Sequence, residues 1–259
     1  MLSISDLGTE TAGEPEQPRT ARALPVGQVR LFDEDTGLRG LLPELSSSKT
    51  ITAKQVLATV WRLSRGLWEP EENPPLEESV ADLLVLDGFL LSRVKVGPRC
   101  SAELLGGGDL FRTDDLDTHG YATVPSERTW RILLPVRMVA LEGELIAQIA
   151  AVPGAARELQ HRWVERVRSL AVRLAIAQVP QLTARVHLVL WHLADRWGRR
   201  CRDGAVIPFR LTQQVVAECA SAQRTSVAAA LHELLERGIV ERNGEGHWVL
   251  HAPPPGDFT

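Results

Sequence analysis

The stretch Leu211–Leu250, LTQQVVAECASAQRTSVAAALHELLERGIVERNGEGHWVL, decides the fold. Thr212 stands where a side-chain oxygen can accept from the free amides of a helix start. Val215, Val216 and Cys219 give that helix an apolar face, and Ala220-Ser221-Ala222 make a short turn of small residues. A second helix follows, with Val227, Ala230, Leu231, Leu234 and Leu235 as its expected buried face and Gly238 as its C-terminal stop. Ile239–Arg242 and His247–Leu250 then flank Asn243-Gly244-Glu245-Gly246, a β-hairpin signal. Helix, tight turn, helix and hairpin together read as a winged helix-turn-helix. In such a motif the second helix lies in the major groove of DNA, and residues near its N-terminus meet the base edges. Here that first turn offers Gln223, Arg224, Thr225 and Ser226, all hydrogen-bonding and none acidic. Glu233 and Glu236 fall in the last turns and are expected to point away from phosphate.

Working outward, the region before this motif is a pair of helices. From Ala155 to Val179 no Gly or Pro occurs, and Leu159, Trp163, Val167, Leu170, Leu174 and Ala177 recur at helical spacing. That single apolar stripe is close to a coiled-coil seam. It suits a helix packed on its own domain or one paired with its copy in a dimer. Arg157, Arg162, Arg166, Arg168 and Arg173 fall mostly off the stripe. Pro180 ends or bends the helix. Gln181–Trp197 is a second amphipathic helix with Val186, Leu190, Leu193 and Trp197 on one face, and Gly198 stops it.

From Lys49 to Leu141 the chain reads as short strands and turns. Ile51–Val60 and Trp130–Leu134 are expected strands. Asp87-Gly88 inside Leu83–Val96 is expected to turn a tight hairpin, and Gly106-Gly107-Gly108-Asp109 is a second turn signal. Pro70–Pro75 reads as an acidic, proline-rich loop. The pattern suggests a β-sandwich, barrel or jelly roll. The expected whole is α+β: a polar tail over 1–28, a β-roll over 29–143, a long helix segment over 144–180, and a winged helix-turn-helix over 181–259.

Charge follows the same division. Residues 1–156 hold 15 Lys+Arg against 23 Asp+Glu, a net of -8, whereas residues 157–242 hold 14 Arg against 8 Asp+Glu, a net of +6. An acidic front and a basic rear suggest two jobs in two regions.

Leu211-Thr212, Val216-Ala217, Arg224, Ser226-Val227, Ala230-Leu231, Leu234 and Gly238-Ile239-Val240 resemble the helix-turn-helix of Crp/Fnr-type bacterial transcription regulators. The upstream order is similar too: a β-roll of cyclic-nucleotide-binding type, a long dimerisation helix, then the DNA-binding domain. Leu86-Asp87-Gly88 and Gly108-Asp109-Leu110 look like two β-roll turns of that family. The resemblance implies a homodimer on double-stranded DNA bearing a near-palindromic operator, acting on RNA polymerase. It places Arg224 and Thr225 where bases are read, and Thr212, Gln223 and Ser226 where phosphates are contacted. Arg237, Arg242 and Asn243, at the helix end and the wing, are the further expected DNA contacts. The stripe from Leu159 to Ala177 becomes the dimer interface. A third base-reading position, often arginine, is here Ala229, which leaves the operator sequence open.

Cyclic-nucleotide binders of that family carry a Gly-Glu pair shortly after the Gly-Asp turn. Here Gly108-Asp109-Leu110-Phe111 runs on into Arg112-Thr113, although Arg128-Thr129 offers a downstream Arg-Thr. Gating by cyclic AMP is therefore not expected. Two rival readings remain: a regulator gated by a nucleotide or other small molecule in the β-roll, or a winged-helix module that binds a partner protein. No cofactor, metal site or catalytic role is expected. The histidines are dispersed, and no H-E-x-x-H, P-loop lysine or nucleophile elbow occurs. The first cysteine, Cys100, comes too late for the family's iron–sulfur branch. Cys100, Cys201 and Cys219 suggest reduced thiols in a cytoplasmic protein. With no apolar run of about 18 residues, no membrane span is expected. The N-terminus also lacks the marks of a secretory signal.

Overall fold

Leu83-Leu84-Val85-Leu86 are four consecutive buried residues, so this strand is covered on both faces. Leu83 and Val85 enter one core with Leu63, Trp68, Leu90, Phe111 and Trp130, the interior of the β-roll. Leu84 and Leu86 enter another, with Val60, Val139 and the helices that follow the sheet. The computed structural model describes residues 20–30, 56–70, 82–112, 124–152, 154–202 and 204–253.

The strands are β1 (Ala23–Arg30), β2 (Leu57–Leu63), β3 (Gly66–Trp68), β4 (Asp82–Val96), β5 (Arg99–Gly106), β6 (Leu110–Arg112) and β7 (Glu127–Leu141). Among the described residues they form one sheet in the order β1-β2-β7-β4-β5, with β3 on β7 and β6 on β4, each pair antiparallel. Three expectations need correction. Asp87-Gly88 does not turn a hairpin: β4 runs through it beside β7, with register shifts between Val85 and Leu90. Gly88 has φ +84°, and a Cβ there would strike the Pro135 carbonyl, so the glycine serves a bulge. β1 starts at Ala23, inside the stretch read as tail, and pairs with β2. Of Ile51–Val60, β2 includes Leu57 onward; residues 51–55, like 71–75 of the proline-rich loop and 1–19 of the tail, lie outside the described residues.

Helices follow: α1 (Gly143–Ala150), α2 (Ala155–Ala177) and α3 (Leu182–Trp197). The segment expected as one long helix is thus two, parted at Gly154, which takes φ +84°. The C-terminal unit adds β8 (Arg199–Cys201), β9 (Gly204–Val206), α4 (Gln213–Cys219), α5 (Arg224–Glu236), β10 (Val240–Arg242) and β11 (Trp248–Leu250). Its four strands order as β10-β11-β9-β8.

The C-terminal core does not stop at the domain boundary. Leu91, Ala102 and Leu104 of β4 and β5 belong to the same apolar cluster as Ile176, Val186, Val216 and Cys219. Phe89 packs edge-on to Trp197 at 5.3 Å and lies 3.9 Å from Phe209. Polar links cross the same seam. Arg131 Nη2 lies 2.8 Å from Glu218 Oε2, and Arg196 pairs with Asp109. Arg166 joins Glu103 at 3.2 Å and donates to the Leu110 carbonyl.

Candidate nucleic-acid interface

Thr212 Oγ1 accepts from Val215 N at 3.3 Å, so the expected cap of α4 is in place. Val215, Val216 and Cys219 are buried beneath it. The turn to α5 is built on Ser221, a non-glycine residue at φ 51°, and closes with Ala222 N on the Ala217 carbonyl at 2.9 Å. Arg185 of α3 braces this turn from behind, donating to the carbonyls of Val179 (2.9 Å) and Ala220 (3.3 Å).

Val227, Ala230, Leu231 and Leu234 anchor α5, whereas Leu235, expected inside, is 39% exposed. Four successive residues at its start, Gln223, Arg224, Thr225 and Ser226, are all exposed. No acid stands in that first turn. The acids sit at the other end and are occupied. Glu233 accepts from Thr183 Oγ1 at 2.7 Å and from Arg237 at 3.1 Å. These bonds, the Thr183 one first, hold its carboxyl below the usual range. Glu236 pairs with His232 at 3.2 Å. Arg237 follows the last residue of α5, about 20 Å from Arg224 at ~1.5 Å rise per residue. It is therefore not part of the cluster at the helix start.

The wing is locally well bonded. Asn243 Oδ1 accepts from Glu245 N (3.1 Å) and His247 N (2.9 Å), which closes the turn. Arg242 stacks on Trp248, 4.2 Å from the ring centroid, and donates to the carbonyls of Gly246 and Leu211. Its bond to Leu211 brings the wing beside the start of α4. Sequence reading missed Arg210, which is exposed and donates to the Glu245 carbonyl at 3.3 Å. Its position two residues before the helix cap was the available signal.

The expected dimer stripe divides in two. Leu159 and Trp163 are partly buried against the β-roll core. Val167 (61%), Leu170 (38%) and Leu174 (67%) are exposed, as are Val164 and Val172; Ala177 is half-buried. Meanwhile Arg166 and Ser169 of the same helix are buried. The middle of the helix thus turns Arg166 and Ser169 inward and Val167, Leu170 and Leu174 outward.

In the β-roll, Gly106 N donates to Asp109 Oδ2 at 2.7 Å, and the other carboxylate oxygen faces Arg196. The Gly108-Asp109 turn is therefore committed to the domain seam. Arg128 lies 5.9 Å from the centroid of Trp130. The Trp130 indole nitrogen is buried without an acceptor among the described residues. Among the described residues no cluster of three His, Cys, Asp or Glu is placed to hold a metal ion. No described helix is long and apolar enough to cross a membrane.

A β-roll joined through helices to a winged helix-turn-helix defines an α+β protein of the Crp/Fnr-type regulator fold. Residues 184–254 match the family described as the Crp-like helix-turn-helix domain. Solved structures share this fold over much of the chain. A CooA mutant from Carboxydothermus hydrogenoformans superposes with TM-score 0.59 at 15% identity, covering 82% of this chain and 91% of its own. FixK2 from Bradyrhizobium japonicum gives TM-score 0.54 at 17% identity, over 75% and 93%. A cyclic nucleotide-binding domain containing protein from Listeria monocytogenes gives 0.55 at 12%, over 68% and 82%. No curated protein matches the chain.

Proposed function

We propose that this chain is a transcription regulator that binds double-stranded DNA sequence-specifically as a homodimer on a near-palindromic operator, in the cytoplasm. The observation that carries the reading is the exposed, acid-free row Gln223-Arg224-Thr225-Ser226, at the start of a helix anchored by Val227, Ala230, Leu231 and Leu234. Arg224 and Thr225 read bases; Thr212, Gln223 and Ser226 hold phosphates; the wing, with Asn243, and Arg237 add backbone contacts. The outward apolar residues Val167, Leu170 and Leu174 pair with a second copy. Two readers on a two-fold axis require two half-sites. RNA polymerase is the partner of the bound dimer.

Cyclic AMP does not gate the protein. No Gly-Glu pair follows the Gly108-Asp109 turn, where Arg112-Thr113 stand instead, and Asp109 is spent on Arg196. A second reading, gating by some other small molecule in the β-roll, is favoured by one observation. Among the described residues the buried Trp130 N–H has no acceptor, a cost of about 1–3 kcal/mol that a bound acceptor would relieve.

Fluorescence anisotropy with duplex DNA at several salt concentrations tests the proposal. Binding should weaken steeply as salt rises, because released counterions drive it. Salt-independent binding, or none, would favour a protein-interaction module. In calorimetry, cyclic AMP should give no heat; saturable binding that tightens DNA affinity would reverse the gating statement.

A further inference from the structure

Arg242 was expected to contact phosphate, and its surroundings suggest a different task. It pairs with Trp248 across the wing, the two being direct register partners in β10 and β11. The guanidinium lies over the indole at 4.2 Å from the ring centroid. From that stacked position Nη1 donates to the Gly246 carbonyl at 3.3 Å and Nη2 to the Leu211 carbonyl at 3.4 Å. The indole beneath it is 1% exposed and donates to the same Leu211 carbonyl at 3.2 Å. Leu211 precedes Thr212, the residue that caps α4. One flat cation thus joins three things: the wing strands, the wing turn and the start of the helix-turn-helix.

We propose that Arg242 is a positioning residue that holds the wing turn in register with the start of α4, acting through the shape and donor pattern of its guanidinium rather than by charge on phosphate. The inference rests on the DNA-binding reading above. A guanidinium is planar, stacks on aromatic faces and donates in two fixed directions at once. Lysine has the charge without the plane or the fork. Arg242 is exposed, but two of its N–H groups and the plane of its guanidinium are already engaged within the wing. Arg210 is the second arginine at this turn. It is exposed, its Nε is tied to the Glu245 carbonyl, and it lies against Gly246.

The full chain, Arg242→Lys and Arg242→Gln are compared in two measurements. The first is anisotropy with fluorescein-labelled random-sequence duplex DNA across a salt series. The second is hydrogen exchange over Val240–Leu250 without DNA. Arg242→Lys should bind about ten-fold more weakly, equivalent to about 1.4 kcal/mol. Exchange in the wing should speed up in both variants, and the salt slope of Arg242→Gln should stay that of the unmodified chain. If Arg242→Lys keeps full affinity while the Arg242→Gln slope falls by about 0.9 per phosphate lost, Arg242 is a phosphate contact and the proposal is wrong. Faster exchange with unchanged affinity in both variants also overturns it, leaving a stack that matters only for folding. Unchanged wing exchange in Arg242→Lys overturns it whether or not DNA binds. Failure of the unmodified chain to bind duplex would instead sink the DNA reading, and the exchange comparison would still decide what Arg242 holds.

Discussion

Asp109 of the β5–β6 turn and Arg196 of α3, 87 positions apart, form an ion pair across the seam between the β-roll and the C-terminal unit. Burial pushes the Asp109 carboxyl up to about 6. Arg196 opposes the rise, as do the Gly106 amide and Arg166, while Glu103 adds to it. The folded protein therefore holds this proton more tightly than the unfolded chain does, so Asp109 adds stability as pH falls from about 6 toward 3.8. His192 works the other way. Burial first, then Arg196 and Arg173, lower it to about 4, so stability is lost as pH falls below 6.5 toward that value. Asp109→Asn leaves His192 in place and isolates the carboxyl. Between pH 7 and pH 4, thermal melting should show the unmodified protein gaining on Asp109→Asn. A constant gap across that range would show that the Asp109 proton is not linked to folding.

The C-terminal motif was legible in the sequence because its signals are local. Thr212 and Val215 are three residues apart, and Asn243 and His247 four, so cap and wing turn can be read from a short window. The seam was not legible. Arg131 meets Glu218 and Arg166 meets Glu103 at separations of 87 and 63 residues, and no periodicity announces such partners. Arg166 looked like one more surface arginine off the apolar stripe, yet it is 5% exposed. Asp87-Gly88 misled for a different reason. A glycine at positive φ serves a hairpin turn and a bulge equally, and only the partner strand β7 decides between them.

Ser221 carries left-handed backbone at φ 51° without the freedom of glycine. A non-glycine residue in that region costs roughly 1–2 kcal/mol, and glycine gives back part of the gain as unfolded-chain entropy. Ser221→Gly should therefore stabilise the protein by about 0.5–1 kcal/mol in urea unfolding. Ser221→Val should destabilise it, since a β-branched side chain tolerates this region poorly. Equal midpoints for the two variants would mean the turn relaxes out of the left-handed region.

The outward face of α2 gives a test of assembly. Leu170 and Leu174 are exposed in the single chain, whereas Arg166 is buried on Glu103 of the β-roll and Ser169 on His192 of α3. Glutamate at the first two positions should thus spare the fold and remove the pairing. Burying one Leu is worth roughly 1.5–3 kcal/mol, and two-fold symmetry counts each change twice. Leu170→Glu with Leu174→Glu should sediment as a monomer that still melts cooperatively, at a lower temperature that no longer depends on protein concentration. A double variant that remains dimeric would move the interface elsewhere.

Arg224 opens α5 and is exposed there, with no acid in the same turn. In the major groove guanine presents two acceptors that arginine's two donors can meet together, so each half-site should contain a guanine opposite this residue. One such pair supplies about 1–3 kcal/mol of discrimination, and a dimer has two. Arg224→Ala should then cost roughly 2–6 kcal/mol on the specific site and relax preference at two symmetric positions. Arg237 differs in both place and company. It lies past the far end of the helix, paired with Glu233 at 3.1 Å. Its replacement should weaken all duplexes alike and flatten the salt dependence, as a backbone contact does. Selection of bound sequences from a random pool, followed by competition between the selected site and random duplex, separates the two behaviours. If Arg224→Ala selects the same sequence with the same affinity, bases are read by some other face of the protein, and α5 is not the recognition helix.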